Sequence, residues 1–222
     1  MSALPQTAWV QDNFVADAFL DSLARAKHVA APYDHWLLDK VLPAEDVSAI
    51  AALPFLPPQE AIFDGKREAN NSVRVFFNPE NQARFAVCRR VAAGFLDPRV
   101  LRAIEQETGA NLSGSHLRIE YCQDTEGFWL APHTDISVKT FTMLIYLSDD
   151  PRLKNAGTDI HEGPPGFKHV ASAPYGRNLG FIFVPGKDTW HAIGKRPLNG
   201  AVRKSIIVNY VSAAWREKSE LS

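Results

Sequence analysis

The spacing of apolar residues changes period near residue 112, and that change limits the possible fold more than any other feature of the chain. Before it, apolar positions recur about every 3.6 residues, the repeat of a helix with one buried face. Segments 16–30 ("ADAFLDSLARAKHVA"), 42–54 ("LPAEDVSAIAALP"), 81–96 ("NQARFAVCRRVAAGFL") and 98–109 ("PRVLRAIEQETG") each predict a helix. Pro43 suits a first turn, Asp97-Pro98 separates the last two helices and Gly109 stops the second of them. Among them, "SVRVFFNP" (72–79) reads as a strand.

After residue 112 the period is two. "HLRIEYC" (116–122), "FTMLIYLS" (141–148), "TDIHE" (158–162), "LGFIFVP" (179–185), "WHAIGK" (190–195) and "RKSIIVNYV" (203–211) are short, rich in β-branched and aromatic residues, and punctuated by turn formers. No helix of 10–15 residues separates them, which argues against a parallel sheet with crossover helices. An antiparallel sandwich or jelly roll is expected.

At 222 residues the chain suits a single domain. We divide it into a helical annex over about 1–111, a β core over about 112–212 and a tail over 213–222. Hydrophobic and charged contents of 45% and 22% are those of a folded chain, and a net charge of −1 gives no electrostatic reason to expect nucleic acid or an anionic membrane as partner. Cys88 and Cys122 form no metal-type spacing, and the opening "MSALPQTAWVQDNF" lacks a basic leader with an apolar core. A reduced, cytoplasmic setting follows as the expectation.

"APHTDISVKT" (131–140) places His133 and Asp135 two apart in an extended segment, where both side chains face the same way. With this chain's composition, chance alone supplies about one His-x-Asp/Glu match, so the tripeptide carries little by itself. Its weight comes from company. His191 follows an apolar strand and a tight turn, "GFIFVPGKDTW", and two histidines with one carboxylate suit a non-haem Fe(II) with positions left open. Beyond it, "VRKSIIVNYV" (202–211) alternates Arg203 and Ser205 onto one face, a guanidinium and a hydroxyl suited to gripping a carboxylate. His161 and His169 flank a Pro/Gly-rich segment and read as loop residues. Trp129 and Trp190 adjoin the proposed ligands as candidate pocket walls. Trp9, Trp36 and Trp215 are expected to seal the edges of the core.

The order of strand, "HTD", strand, distal histidine and Arg-x-Ser resembles the iron(II)- and 2-oxoglutarate-dependent dioxygenases. The resemblance covers about residues 112–212, with a looser echo over 30–110. "FTMLIYLSDD" followed by "AGTDIH" is similar to a core strand of that family and its Gly-containing turn, and "GRNLGFIFVPGKDTWHAI" to the segment that delivers its distal histidine. What the resemblance implies is a distorted double-stranded β-helix (jelly roll, cupin-like; α+β with a mainly β core) with N-terminal helices packed outside. It further implies Fe(II) held by His133, Asp135 and His191, and 2-oxoglutarate bound through Arg203 with Ser205 assisting. Tyr121 and Tyr146, by position, resemble strand tyrosines whose hydroxyls reach that cosubstrate.

With O2 as the oxidant, the implied reaction hydroxylates a small molecule or a biopolymer side chain and releases succinate and CO2. The chain departs from prolyl-4-hydroxylase-like members, many of which carry lysine where it has Arg203, and its "NAGT" turn holds one glycine where many members have two. The alternative reading is a cupin-like metal-binding or isomerase module that uses no 2-oxoglutarate and needs no Arg203. The substrate pocket is expected near Asn70, Arg74 and Trp129.

Overall fold

In the computed structural model, which describes residues 13–59, 63–66 and 74–222, the first apolar stripe winds into helix α1 (Phe14–Ala24). Asn13 caps it by accepting the Ala16 N–H, and Val15, Phe19 and Leu23 are buried along its inner face. Helix α2 (Ala44–Ala51) follows Pro43. The helix expected over 81–96 is divided at Phe85, whose extended backbone (ψ 113°) separates α3 (Pro79–Arg84) from α4 (Ala86–Phe95). Helix α5 (Pro98–Thr108) starts on an Asp97 cap and ends at Gly109, whose φ of +71° is open to a residue without a β-carbon. Trp9 and Asn70 lie outside the described residues.

The strands are β1 (Lys27–Val29), β2 (His35–Asp39), β3 (Val75–Phe76), β4 (His116–Asp124), β5 (Leu130–His133), β6 (Lys139–Tyr146), β7 (Asp159–His161), β8 (His169–Ser172), β9 (Leu179–Phe183), β10 (His191–Ile193) and β11 (Arg203–Val211). They form two antiparallel sheets, ordered β1-β2-β9-β6-β11-β4-β3 and β5-β10-β7-β8. This is the expected mainly β double-stranded β-helix. The annex, however, is not purely helical: α1 stops at Ala24, and residues 27–39 form a hairpin whose second strand pairs with β9. "HWLLD" is too short to display its period. Its place is set by a partner strand far along the chain. His161 and His169, expected in a loop, instead end β7 and begin β8.

Alternation along β11 sorts the core. Ile206, Val208 and Tyr210 pack with helical residues such as Phe19, Val91 and Phe95, and the Tyr210 hydroxyl donates to the Phe95 carbonyl at 2.6 Å. Arg203, Ser205, Ile207 and Asn209 point the other way, into the space between the sheets. Each fully buried aliphatic or aromatic side chain on the helix side contributes about 1.5–3 kcal/mol, so this face stabilises the fold and leaves the inner one available for polar groups. The single glycine of the "NAGT" turn, Gly157, has a packing reason: a β-carbon there would collide with the Ala173 carbonyl oxygen.

Candidate metal centre

The antiparallel pairing of β5 with β10 sets His133 directly opposite His191. Asp135 follows two residues beyond the end of β5, and one ligand atom from each of the three residues lies within 4.8 Å of the others. Among the described residues this is the group of three that meets such a spacing. The His133 Nδ1 lies 2.8 Å from the Ala131 carbonyl oxygen and the His191 Nδ1 lies 2.9 Å from that of Thr189. A carbonyl only accepts, so Nδ1 carries the proton in both rings. Each Nε2 is thereby left as a lone-pair donor, the tautomer a metal requires.

Burial pulls the His191 imidazolium down to about pKa 4; nearby His133 adds to the effect and the Asp135 carboxylate opposes it. The ring is therefore neutral near pH 7, ready to ligate. For Asp135, burial acts to raise the pKa, but the charges of Lys139 and His191 and the hydrogen bonds from Lys139 and Thr142 hold the carboxyl well below the usual range. Its two oxygens are oriented separately. Oδ1 accepts from Lys139 Nζ and Oδ2 from Thr142 Oγ1, both at 2.6 Å. Thr142 in turn accepts from Asn209 Nδ2 at 2.9 Å, and Asn209 Oδ1 accepts from Arg118 at 3.2 Å. Sequence reasoning missed this relay. A signal was present in "FTMLIY", where Thr142 shares the inward alternation of Leu144 and Tyr146.

The triad opens into a cavity of about 610 Å³ whose lining includes Leu144, Thr158 and Ile207 on the inner side and Arg74, Glu120 and Trp215 elsewhere. Trp215 thus lines the cavity where Trp129 and Trp190 were expected to; Trp129 instead holds the Lys195 ammonium over its ring, and Trp190 packs on Phe167. Arg74 forms a two-point pair with Glu120 (3.0 and 2.9 Å), and Arg118, sandwiched between the Phe76 and Trp215 rings, donates to both Glu120 and Glu220.

Arg203 is fully buried. It donates to Asp124 at 2.7 Å and to the Ala156 carbonyl at 2.6 Å, with its guanidinium against the Tyr146 and Tyr175 rings. Asp124, its direct cross-strand partner, was not anticipated, because the register of β4 on β11 cannot be read from either strand alone. Tyr146 lies on this inner face, its hydroxyl donating to Thr158 Oγ1 at 2.9 Å and accepting the Thr158 N–H at 3.0 Å. Ser205 Oγ is buried with no hydrogen-bond partner among the described residues.

The expectation for Tyr121 is corrected. Odd-numbered residues of β4 face the helices, so Tyr121 packs beside Phe55 in the helix-side core, across the sheet from the cavity.

The donor set suits an octahedral divalent ion with open positions, as two imidazoles and one carboxylate leave three sites for other ligands. A buried serine hydroxyl without a partner beside a guanidinium suits an anionic guest, since such a hydroxyl is otherwise costly to bury.

No protein-family model matches the chain, and no curated protein does so either. Solved structures do. A Pseudomonas putida prolyl-4-hydroxylase superposes with TM-score 0.56 at 16% identity, covering 90% of this chain and 100% of its own. A Trichoplax adhaerens prolyl hydroxylase, solved with a fragment of the hypoxia inducible factor oxygen degradation domain, gives 0.54 at 14% identity over 94% of each chain. A non-haem α-ketoglutarate-dependent epimerase from nogalamycin biosynthesis gives 0.53 at 17% identity, covering 89% and 83%. At these identities the likeness is one of fold.

Proposed function

We propose that this chain, built on the double-stranded β-helix it shares with iron(II)- and 2-oxoglutarate-dependent oxygenases, is itself an oxygenase of that kind. In this reading it hydroxylates a small molecule or a biopolymer side chain, with 2-oxoglutarate converted to succinate and CO2. The observation that carries the reading is the pair of tautomer-locked histidines facing each other beside an oriented carboxylate, at the inner end of a cavity. Bound Fe(II) with 2-oxoglutarate would supply the activation of O2 that no side chain can provide.

The residues of the chain then have separable tasks. His133, Asp135 and His191 hold the metal, and Thr142 keeps the carboxylate turned toward it. Arg203 and Ser205 supply charge and a hydroxyl for the far carboxylate of the cosubstrate, and Tyr146, packed on the Arg203 guanidinium, holds Thr158 in the cavity lining. Leu144 and Ile207 keep part of the cavity lining apolar, which helps exclude water from the reacting centre. The charged end of the cavity, with Arg74, Arg118, Glu120 and Glu220, favours a polar substrate. Cys88 and Cys122, both free, fit a reduced cytoplasmic setting. Among the described residues no helix is long and apolar enough to cross a membrane.

The test is anaerobic addition of Fe(II) and 2-oxoglutarate to the full chain, followed by admission of O2. A visible metal-to-ligand charge-transfer band, then succinate formation, is the expected result. Iron binding without the band would leave a cupin-like metal module instead.

A further inference from the structure

Ser205 is not the only buried hydroxyl in the barrel that lacks a partner among the described residues. The other is Tyr33. Tyr33 comes from the opposite end of the chain, two residues before β2 in the hairpin that the annex inserts into the large sheet. Its ring is only 7% exposed and packs in one cluster with Leu144, Tyr146, Tyr175, Phe181 and Phe183. It meets the Phe183 ring edge-on at 6.2 Å, and Phe183 in turn lies 4.6 Å from the ring of the ligand His191. The phenol therefore sits among the side chains that separate the metal triad from Arg203.

Its chemistry is that of a donor awaiting an acceptor. Burial first, and then the neighbouring Tyr146 and Asp135, push its pKa well above the usual phenol range, so the hydroxyl keeps its proton. The Tyr146 hydroxyl is already engaged with Thr158, whereas nothing described engages that of Tyr33. A phenylalanine would fill the same space without the cost of an unmade hydrogen bond, so packing alone gives no reason for the oxygen.

We infer that Tyr33 is a binding residue for the cosubstrate: its hydroxyl donates a hydrogen bond to an anionic oxygen of 2-oxoglutarate, from the N-terminal hairpin rather than from a barrel strand. This rests on the oxygenase reading above.

The experiment compares the full-length parent with Tyr33→Phe. Both are loaded anaerobically with Fe(II) and titrated with 2-oxoglutarate through the charge-transfer band, and thermal midpoints are recorded with and without the ligand. Expected are equal iron content, a dissociation constant raised about tenfold to a hundredfold by loss of a hydrogen bond to a charged group, and a smaller ligand-induced rise in midpoint. The ligand-free midpoint should stay level or rise, because the variant removes an unpartnered buried oxygen. Affinities agreeing within about twofold would overturn the assignment, and so would a lower ligand-free midpoint, which would make the hydroxyl structural. Should the parent itself give no band, the oxygenase reading fails and this inference with it, a result distinct from a parent that binds and a variant that binds equally well.

Discussion

His133 and His191 are direct cross-strand partners, with ring centroids 4.3 Å apart, and each donates its Nδ1–H to the carbonyl two residues upstream. The same local device, repeated on two strands, aims two Nε2 atoms at a single point. Removing either ring, or the Asp135 carboxylate, leaves two ligands. His133→Ala, Asp135→Ala and His191→Ala should each lower iron content at least about tenfold while far-ultraviolet circular dichroism stays that of the parent. Stoichiometric iron in any of them would strike that residue from the ligand set.

Thr142 touches the metal centre only through Asp135. Thr142→Val keeps the shape and deletes the hydroxyl, so the Asp135 oxygen loses its donor and Asn209 loses an acceptor. Metal affinity should fall about 10–100-fold, the usual effect of losing a partner that orients a ligand. Competition titration with Co(II) measures it, and an affinity equal to that of the parent would reduce the relay to ordinary packing.

Arg203 cannot be tested cleanly by truncation alone. Arg203→Ala would strand the buried Asp124 carboxylate, at about 3–5 kcal/mol of stability. The informative variant is Arg203→Gln combined with Asp124→Asn, which removes both charges together. It should stay folded, bind Fe(II) like the parent, and bind 2-oxoglutarate weaker by about 2–5 kcal/mol. If its charge-transfer titration matches that of the parent, the cosubstrate lies elsewhere or is not used.

The two strand tyrosines should separate by face. Tyr146→Phe leaves the Thr158 N–H and hydroxyl without their partner and should cost about 1–3 kcal/mol in stability, read by urea unfolding. Tyr121→Phe, on the helix side, should leave 2-oxoglutarate affinity unchanged and stability level or slightly raised, since its hydroxyl has no partner among the described residues. A weakened cosubstrate affinity in Tyr121→Phe would contradict the strand orientation described above.

Much of this was legible in the sequence wherever a local pattern carried it. Period-two alternation marked β4, β6, β9 and β11, and "HTD" with a later histidine marked the three residues that the structure brings together. What stayed hidden depends on register between distant strands. Asp124 faces Arg203 only because β4 pairs with β11 in one alignment, and a shift of one residue would have turned Tyr121 inward in its place. Strand β8, all four residues exposed, has no apolar alternation to read. Tyr33 gave no signal at all, because nothing in "APYDHW" announces that the segment enters a barrel built mostly by the other half of the chain.

The pairing of β2 with β9 has a consequence for how the molecule assembles. A strand near one end of the chain must wait for a partner near the other, and such a long loop closure is among the slowest and latest events in folding. On a ribosome the hairpin would emerge early and remain without its partner strand through most of synthesis. In refolding the side of the barrel that carries Tyr33 would then close late, because more chain separates β2 from β9 than β5 from β10. Refolding rates measured with a probe at Trp36 should lag those measured at the β5–β10 pair, so the metal centre would be in place before the wall beside it is finished.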